Sequence, residues 1–152
     1  MDGVSGDVTM PLVVAEHLNA HREMTLFCRD ESGGPIGYPM MMVGCSGQEL
    51  YFSTYAKSAK VRHLERDARV AVLAMTGHDR RTLSWVKMTG LASIWAPAEH
   101  EIDELFGEGR EEQRVPSTMA ALVRQRTIEG KRIVLRVMLE DPEELVVQES
   151  SR

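Results

Sequence analysis

Between residues 23 and 55 three strand-like segments follow one another with connections of only a few residues, and this spacing constrains the fold more than any other feature. Residues 23–29 and 36–45 flank Asp30-Glu31-Ser32-Gly33-Gly34-Pro35, a dense turn signal. Residues 49–55 follow the turn Ser46-Gly47-Gln48 and are rich in aromatic and hydroxyl side chains, as strands are. Connections this short join antiparallel neighbours, so the three segments predict a meander.

Further strands follow. Residues 69–75 (RVAVLAM) are apolar throughout, the pattern of a strand covered on both faces. Residues 83–95 alternate, with Val86, Met88, Gly90, Ala92 and Ile94 on one face and Lys87, Thr89 and Ser93 on the other. Gly90 inside this strand predicts a bulge or a close backbone approach. Residues 131–139 alternate as a last strand. Helices are expected over residues 11–20, with Pro11 in the first turn and Val13, Val14 and Leu18 inward, and over 57–66, with Ser58 as N-cap and Val61 and Leu64 on one face. Two more are expected over residues 98–106, with Ile102, Leu105 and Phe106 inward, and over 117–128, entered through Pro116 and closed by Gly130. The chain therefore reads as mostly β, six strands with flanking helices. So many antiparallel strands in 152 residues favour a closed barrel, which leaves no exposed sheet edge. Residues 10–148 form one expected domain, with loose ends at 1–9 and 149–152.

The formal net charge is -5, which speaks against a nucleic-acid binder. No apolar run approaches the roughly 20 residues of a membrane span. The opening MDGVSGDVTMPL lacks the basic and apolar regions of a secretory signal, so a cytoplasmic protein is expected. Cys28 and Cys45 are too few for a disulfide scaffold and are expected as two reduced, packed thiols.

Few motifs carry chemistry. His17 and His21 are four residues apart, but Glu16 precedes the first of them and no third ligand stands nearby, so no metal site is assigned and two solvated histidines are expected. Met40, Met41 and Met42 must alternate between faces, so one of them points away from the core. The acidic stretch 99–112 reads as a solvated face. Neither a Walker loop nor GxGxxG is present. The informative stretch is residues 50–72, LYFSTYAKSAKVRHLERDARVAV. A strand ending in Ser53 and Thr54 leads through a turn carrying Lys57, Ser58 and Lys60 into a helix. Helix-start N–H groups, hydroxyls and ammoniums together suit a phosphate; the alternative is a capped surface helix with ordinary lysines.

This stretch, followed by WVKMTGLASI, resembles the pyridoxamine 5'-phosphate oxidase-like split-barrel family over roughly residues 10–140. The resemblance implies a six-stranded antiparallel split β-barrel and an FMN cofactor, or in one branch the deazaflavin coenzyme F-420. It implies Thr54, Ser58 and Lys60 as phosphate ligands, Ser53 and Lys57 as neighbours, and Tyr38, Pro39 and Met41 near the flavin ring. It also implies a homodimer with cofactors at the subunit interface and a small-molecule substrate. The oxidase tends to carry Arg where Ser58 stands, so one phosphate cation is missing here, and its C-terminal substrate segment has no counterpart. The expected function is a flavin-dependent oxidoreductase transferring hydride through FMN, with no side chain named as catalytic. Its alternatives are a deazaflavin-dependent reductase, for which Lys57, Arg80 and Arg81 gain interest, and a non-catalytic protein that binds or stores a cofactor or haem.

Overall fold

The structure, a computed structural model, describes residues 8–76, 82–106 and 117–151. Its elements are α1 (Leu12–Ala20), β1 (Glu23–Arg29), β2 (Pro35–Ser46), β3 (Glu49–Tyr55), α2 (Ala59–Arg66) and β4 (Arg69–Thr76). These are followed by β5 (Thr82–Trp95), α3 (Glu99–Phe106), α4 (Ser117–Ile128), β6 (Arg132–Leu139) and β7 (Gln148–Ser151). The strands β1, β2 and β3 form the expected meander. Beyond it β3 pairs with β6, β6 with β5, β5 with β4, and β4 with β1, every pair antiparallel. This circuit closes a six-stranded barrel.

The turns that shape the meander use the residues their geometry requires. Asp30 Oδ1 accepts bonds from the Ser32 and Gly34 N–H groups at 2.9 and 3.0 Å. Gly33 and Gly47 take positive φ, 86° and 61°, which a side chain would resist.

A seventh strand, β7, extends the sheet beside β5. Gln148 to Ser151 pair with Trp85 to Thr82 of β5. The reason is the length of β5: β6 reaches it only from Gly90 onward, so one edge of its first half is free to pair.

The barrel holds one core. Leu26, Met42, Leu50, Phe52, Val72, Val86, Leu135 and Val137 are fully or almost fully buried in it. Val14 and Leu18 of α1, and Val61 and Leu64 of α2, join the same cluster. Val13, expected inward, is exposed, and Ile94 is also partly exposed. On β4 only Val70, Val72 and Ala74 are buried; Ala71 and Leu73 are half-buried and Met75 is exposed. RVAVLAM is thus not covered on both faces within one chain. A second, outer layer forms where α3 contacts β2 and α4 contacts β6. Val43, Ile102, Val123 and Val134 are buried there, outside the barrel cluster. The expected contributions of Phe106, Pro116 and residues 107–112 lie outside the described side chains.

Gly90 marks the closure. It lies opposite Val70 on β4 and Leu139 on β6. A Cβ there would overlap the Met138 carbonyl oxygen and sit 3.2 Å from Leu139 Cα, so the feature is a close approach. Among the described residues no helix is long and apolar enough to cross a membrane.

Candidate functional site

The barrel opens between β2 and β3. Their ladder runs only from Met42–Phe52 to Ser46–Glu49, with a bulge between Met42 and Gly44. Before Met42, β2 pairs with β1 alone; beyond Phe52, β3 pairs with β6 alone. Pro39, which can donate nothing to a ladder, falls in the stretch where β2 has a single neighbour. The opening holds a cleft of about 410 Å³. Pro39, Met41 and Val43 line it from β2, and Leu122 and Val123 from α4. Ser53, Thr54 and Tyr55 line it from β3, with Lys60, Arg126 and Arg132 as its cations.

The cationic end of the cleft is built by the turn from β3 into α2. The Ser58 N–H donates to the Tyr55 carbonyl at 3.1 Å, which directs the chain into the helix. Ser58 is the N-cap residue, yet its side chain makes no capping bond, and its Oγ is buried without a partner. Lys60 Nζ donates to Thr54 Oγ1 at 2.9 Å, and Thr54 is itself buried. From β6, Arg132 donates through Nη1 to Ser53 Oγ at 3.1 Å and lies over the Tyr55 ring at 4.1 Å. Arg132 Nε is buried and unpartnered. Arg126 of α4 donates to the Tyr55 hydroxyl at 3.2 Å.

The electrostatics agree with this crowding of positive charge. Burial, and then the nearby Arg132, hold the Lys60 ammonium below the ordinary lysine value. Arg132, then Arg126, lower the Tyr55 phenol. Among the described residues no carboxylate pairs with Lys60, Arg126 or Arg132. Cations without counter-ions beside orphaned donors form a site that an anion completes.

The family model described as pyridoxamine 5'-phosphate oxidase matches residues 11–143. The chain belongs to the pyridoxamine 5'-phosphate oxidase family. Solved structures share its fold. A conserved hypothetical protein of Mycobacterium tuberculosis has TM-score 0.66 at 24% identity, over 99% of this chain and 90% of that one. A FAD-binding protein of Mesorhizobium loti has TM-score 0.63 at 17% identity, over 94% and 97% of the two chains. The heme storage protein HutZ of Vibrio cholerae has TM-score 0.64 at 13% identity, over 91% and 94%. No curated protein matches the chain.

Of the residues singled out in the sequence, this member of the oxidase family brings Ser53, Thr54, Lys60, Pro39 and Met41 to one cleft. Ser58 stands beside it at the start of α2. Lys57 instead lines a neighbouring cleft of about 450 Å³, together with Tyr55, Arg126 and Lys131. Tyr38 does not line the main cleft; it packs against the barrel core. The cleft also carries Arg132, a cation which the sequence reading missed along with Arg126, Tyr55, Leu122 and Val123. Arg132 lies opposite Tyr55 in the β3–β6 ladder, a pairing of strands far apart in sequence that local periodicity does not reveal. Arg80 and Arg81 lie outside the described residues.

The remaining candidates are structural. Met40 and Met42 join the core, and Met40 and Met41 both line the cleft. Cys28 and Cys45 are buried, reduced cysteines, and burial raises both thiols. His17 is not the solvated residue expected: its Nε2 lies 3.2 Å from Ser84 Oγ. Burial, and then His21, lower its pKa. No cluster of three potential metal ligands occurs among the described residues.

Proposed function

We propose that this protein is a flavin-dependent oxidoreductase that holds FMN in the cleft between β2 and β3 and works as a homodimer. The observation that carries the reading is the set of cations, Lys60, Arg126 and Arg132, facing one cleft with no carboxylate partner among the described residues. Buried orphan donors at Ser58 Oγ and Arg132 Nε fit the several oxygens of a phosphate. Thr54, Ser58, Lys60 and Arg132 would hold that group, with Ser53 held through Arg132. Pro39, Met41, Val43 and Leu122 supply an apolar wall suited to a flat ring system. When bound, a flavin accepts and returns hydride itself. The chain's part is to bind, to orient and to keep water from one side of the ring; none of its side chains needs to act as a general acid.

The dimer is supported by the outer apolar row that one chain leaves uncovered. Leu73 is half-buried, Met75, Leu91 and Met138 are exposed, and Leu91 and Met138 are paired neighbours. A soluble chain gains by burying such a row against a second copy. Light scattering at micromolar concentration should give about twice 17.0 kDa; a monomer would remove the dimer from this reading.

The test of the cofactor is titration of the purified protein with FMN, riboflavin, coenzyme F-420 and haemin, alongside the absorption spectrum and mass of any co-purified ligand. FMN binding tighter than riboflavin, with turnover on a reduced nicotinamide, supports the proposal. Preference for the deazaflavin coenzyme would replace the cofactor on the same site. Haemin binding without flavin binding would overturn the oxidoreductase reading.

A further inference from the structure

We propose that Tyr38 is a positioning residue for Lys60, holding its ammonium against Thr54 at the phosphate end of the cleft; the inference rests on the anion-binding reading above. Resemblance alone would put Tyr38 beside the flavin ring. In the structure Tyr38 does not line the main cleft. Tyr38 lies opposite Leu26 in the β1–β2 ladder and shares the inward face of Met40 and Met42. Its half-buried ring packs against the barrel core.

Two residues of α2 meet that ring. Lys60 Nζ stands 5.2 Å from the ring centroid while donating to Thr54 Oγ1 at 2.9 Å. His63, three residues on and therefore on the same helical face, stacks with the Tyr38 ring at 6.5 Å and 29°. His63 is buried, and its Nδ1 lies 3.4 Å from Arg66 Nη2. The ring is thus fixed by the core and by a histidine that is itself held.

The consequence for Lys60 is physical. A lysine stem has four carbons and many rotamers, and its ammonium is a compact charge that water holds strongly. The negative face of an aromatic ring attracts that charge without neutralising it. Thr54 supplies one acceptor and Tyr38 one face, so the ammonium is localised before any anion arrives and keeps its full charge for the phosphate. A carboxylate in place of Tyr38 would hold Lys60 equally well but would compete with the ligand. Localising the cation beforehand lowers the ordering cost of binding.

The test compares Tyr38→Leu, which removes the ring, with Tyr38→Phe, which keeps its face and loses only the hydroxyl. The full chain is reductively methylated with labelled formaldehyde; its four lysines give few signals, and Lys60→Arg assigns one of them. In the flavin-free protein the Lys60 methyl signal should be displaced by the ring in wild type and Tyr38→Phe, and return to the position of an exposed lysine in Tyr38→Leu. The preference for FMN over riboflavin should fall about fivefold in Tyr38→Leu and stay within about twofold of wild type in Tyr38→Phe. Circular dichroism and thermal melts confirm that both variants fold. An unmoved methyl signal in Tyr38→Leu, an unchanged FMN preference, or equal losses in both variants would overturn the positioning role. Wild type showing no preference for FMN over riboflavin, with the methyl shift intact, would instead overturn the phosphate reading on which it rests.

Discussion

The two ends of helix α2 treat positive charge in opposite ways. At its C-terminal end Asp67 accepts from Arg69 Nε and Nη2 at 3.0 and 2.8 Å and from the Arg69 N–H at 3.2 Å, with Arg29 at 4.0 Å. Arg69 foremost holds the Asp67 carboxylate down at about 2. At the N-terminal end Lys60 has a hydroxyl and an aromatic face for company, with Arg132 as a second cation nearby. The first end is electrostatically complete in the folded chain. The second concentrates charge that no described carboxylate answers. Both lie on one eight-residue helix, so neither net charge nor helix position distinguishes a structural ion pair from a candidate binding site. The difference is whether a carboxylate is within reach.

The largest effect should come from breaking the frame that carries both ends. Gly90→Val places a branched side chain against the Met138 carbonyl at the barrel closure, where backbone cannot yield cheaply. Denaturant unfolding should show a loss of roughly 1–3 kcal/mol. Because the two ends share the frame, flavin binding and thermal midpoint should fall together; an unchanged midpoint would mean that the closure tolerates a Cβ.

Next comes the cationic end alone. Lys60→Ala and Arg132→Ala should each weaken FMN binding by about 1.5–3 kcal/mol, the range for a hydrogen bond to a charged group. Riboflavin, with the same ring and no phosphate, should lose far less. Equal losses for both ligands would show that the residue acts on the ring or the fold. pH sharpens the same point. The folded Lys60 value lies below the usual 10.5, so its proton leaves earlier than that of a free lysine as pH rises. The FMN preference should therefore start to decline below 10.5, and that decline should vanish in Lys60→Ala. The linked effect on the empty protein has the opposite sign: between the folded and unfolded values the unfolded chain holds more protons, so this group's contribution to stability rises with pH.

The smallest effect belongs to the completed end. Asp67→Asn should leave FMN and riboflavin binding unchanged and lower the thermal midpoint slightly at neutral pH. The folded carboxyl is depressed from 3.8 to about 2, so its contribution is present above 3.8 and fades as pH falls through about 2. Wild type and variant should converge there. A change in flavin binding at neutral pH would break the contrast between the ends.

Much of the barrel can be read locally. The limits of β1 and β3, the Asp30–Gly34 turn, the inward face of β5 from Val86 to Ala92 and the tightness at Gly90 all follow from period-two alternation and turn chemistry. So does the grouping of Thr54, Ser58 and Lys60, because those residues lie within one strand, one turn and the first turn of one helix. What periodicity reports is the face on which a side chain stands. It does not report which strand lies next to it. That choice placed Arg132 opposite Tyr55, let β2 part from β3 at Met42 to open the cleft, and gave the free half of β5 to Gln148–Ser151. It also turned Tyr38 from the cleft to Lys60 and His63, because alternation sets it on the inward face with Met40 while α2 arrives there from a distant part of the chain. The sequence by itself determined the donors of the site and the strands that carry them. Only the closed barrel, through contacts between distant segments, decided which cations meet and that no described carboxylate meets them.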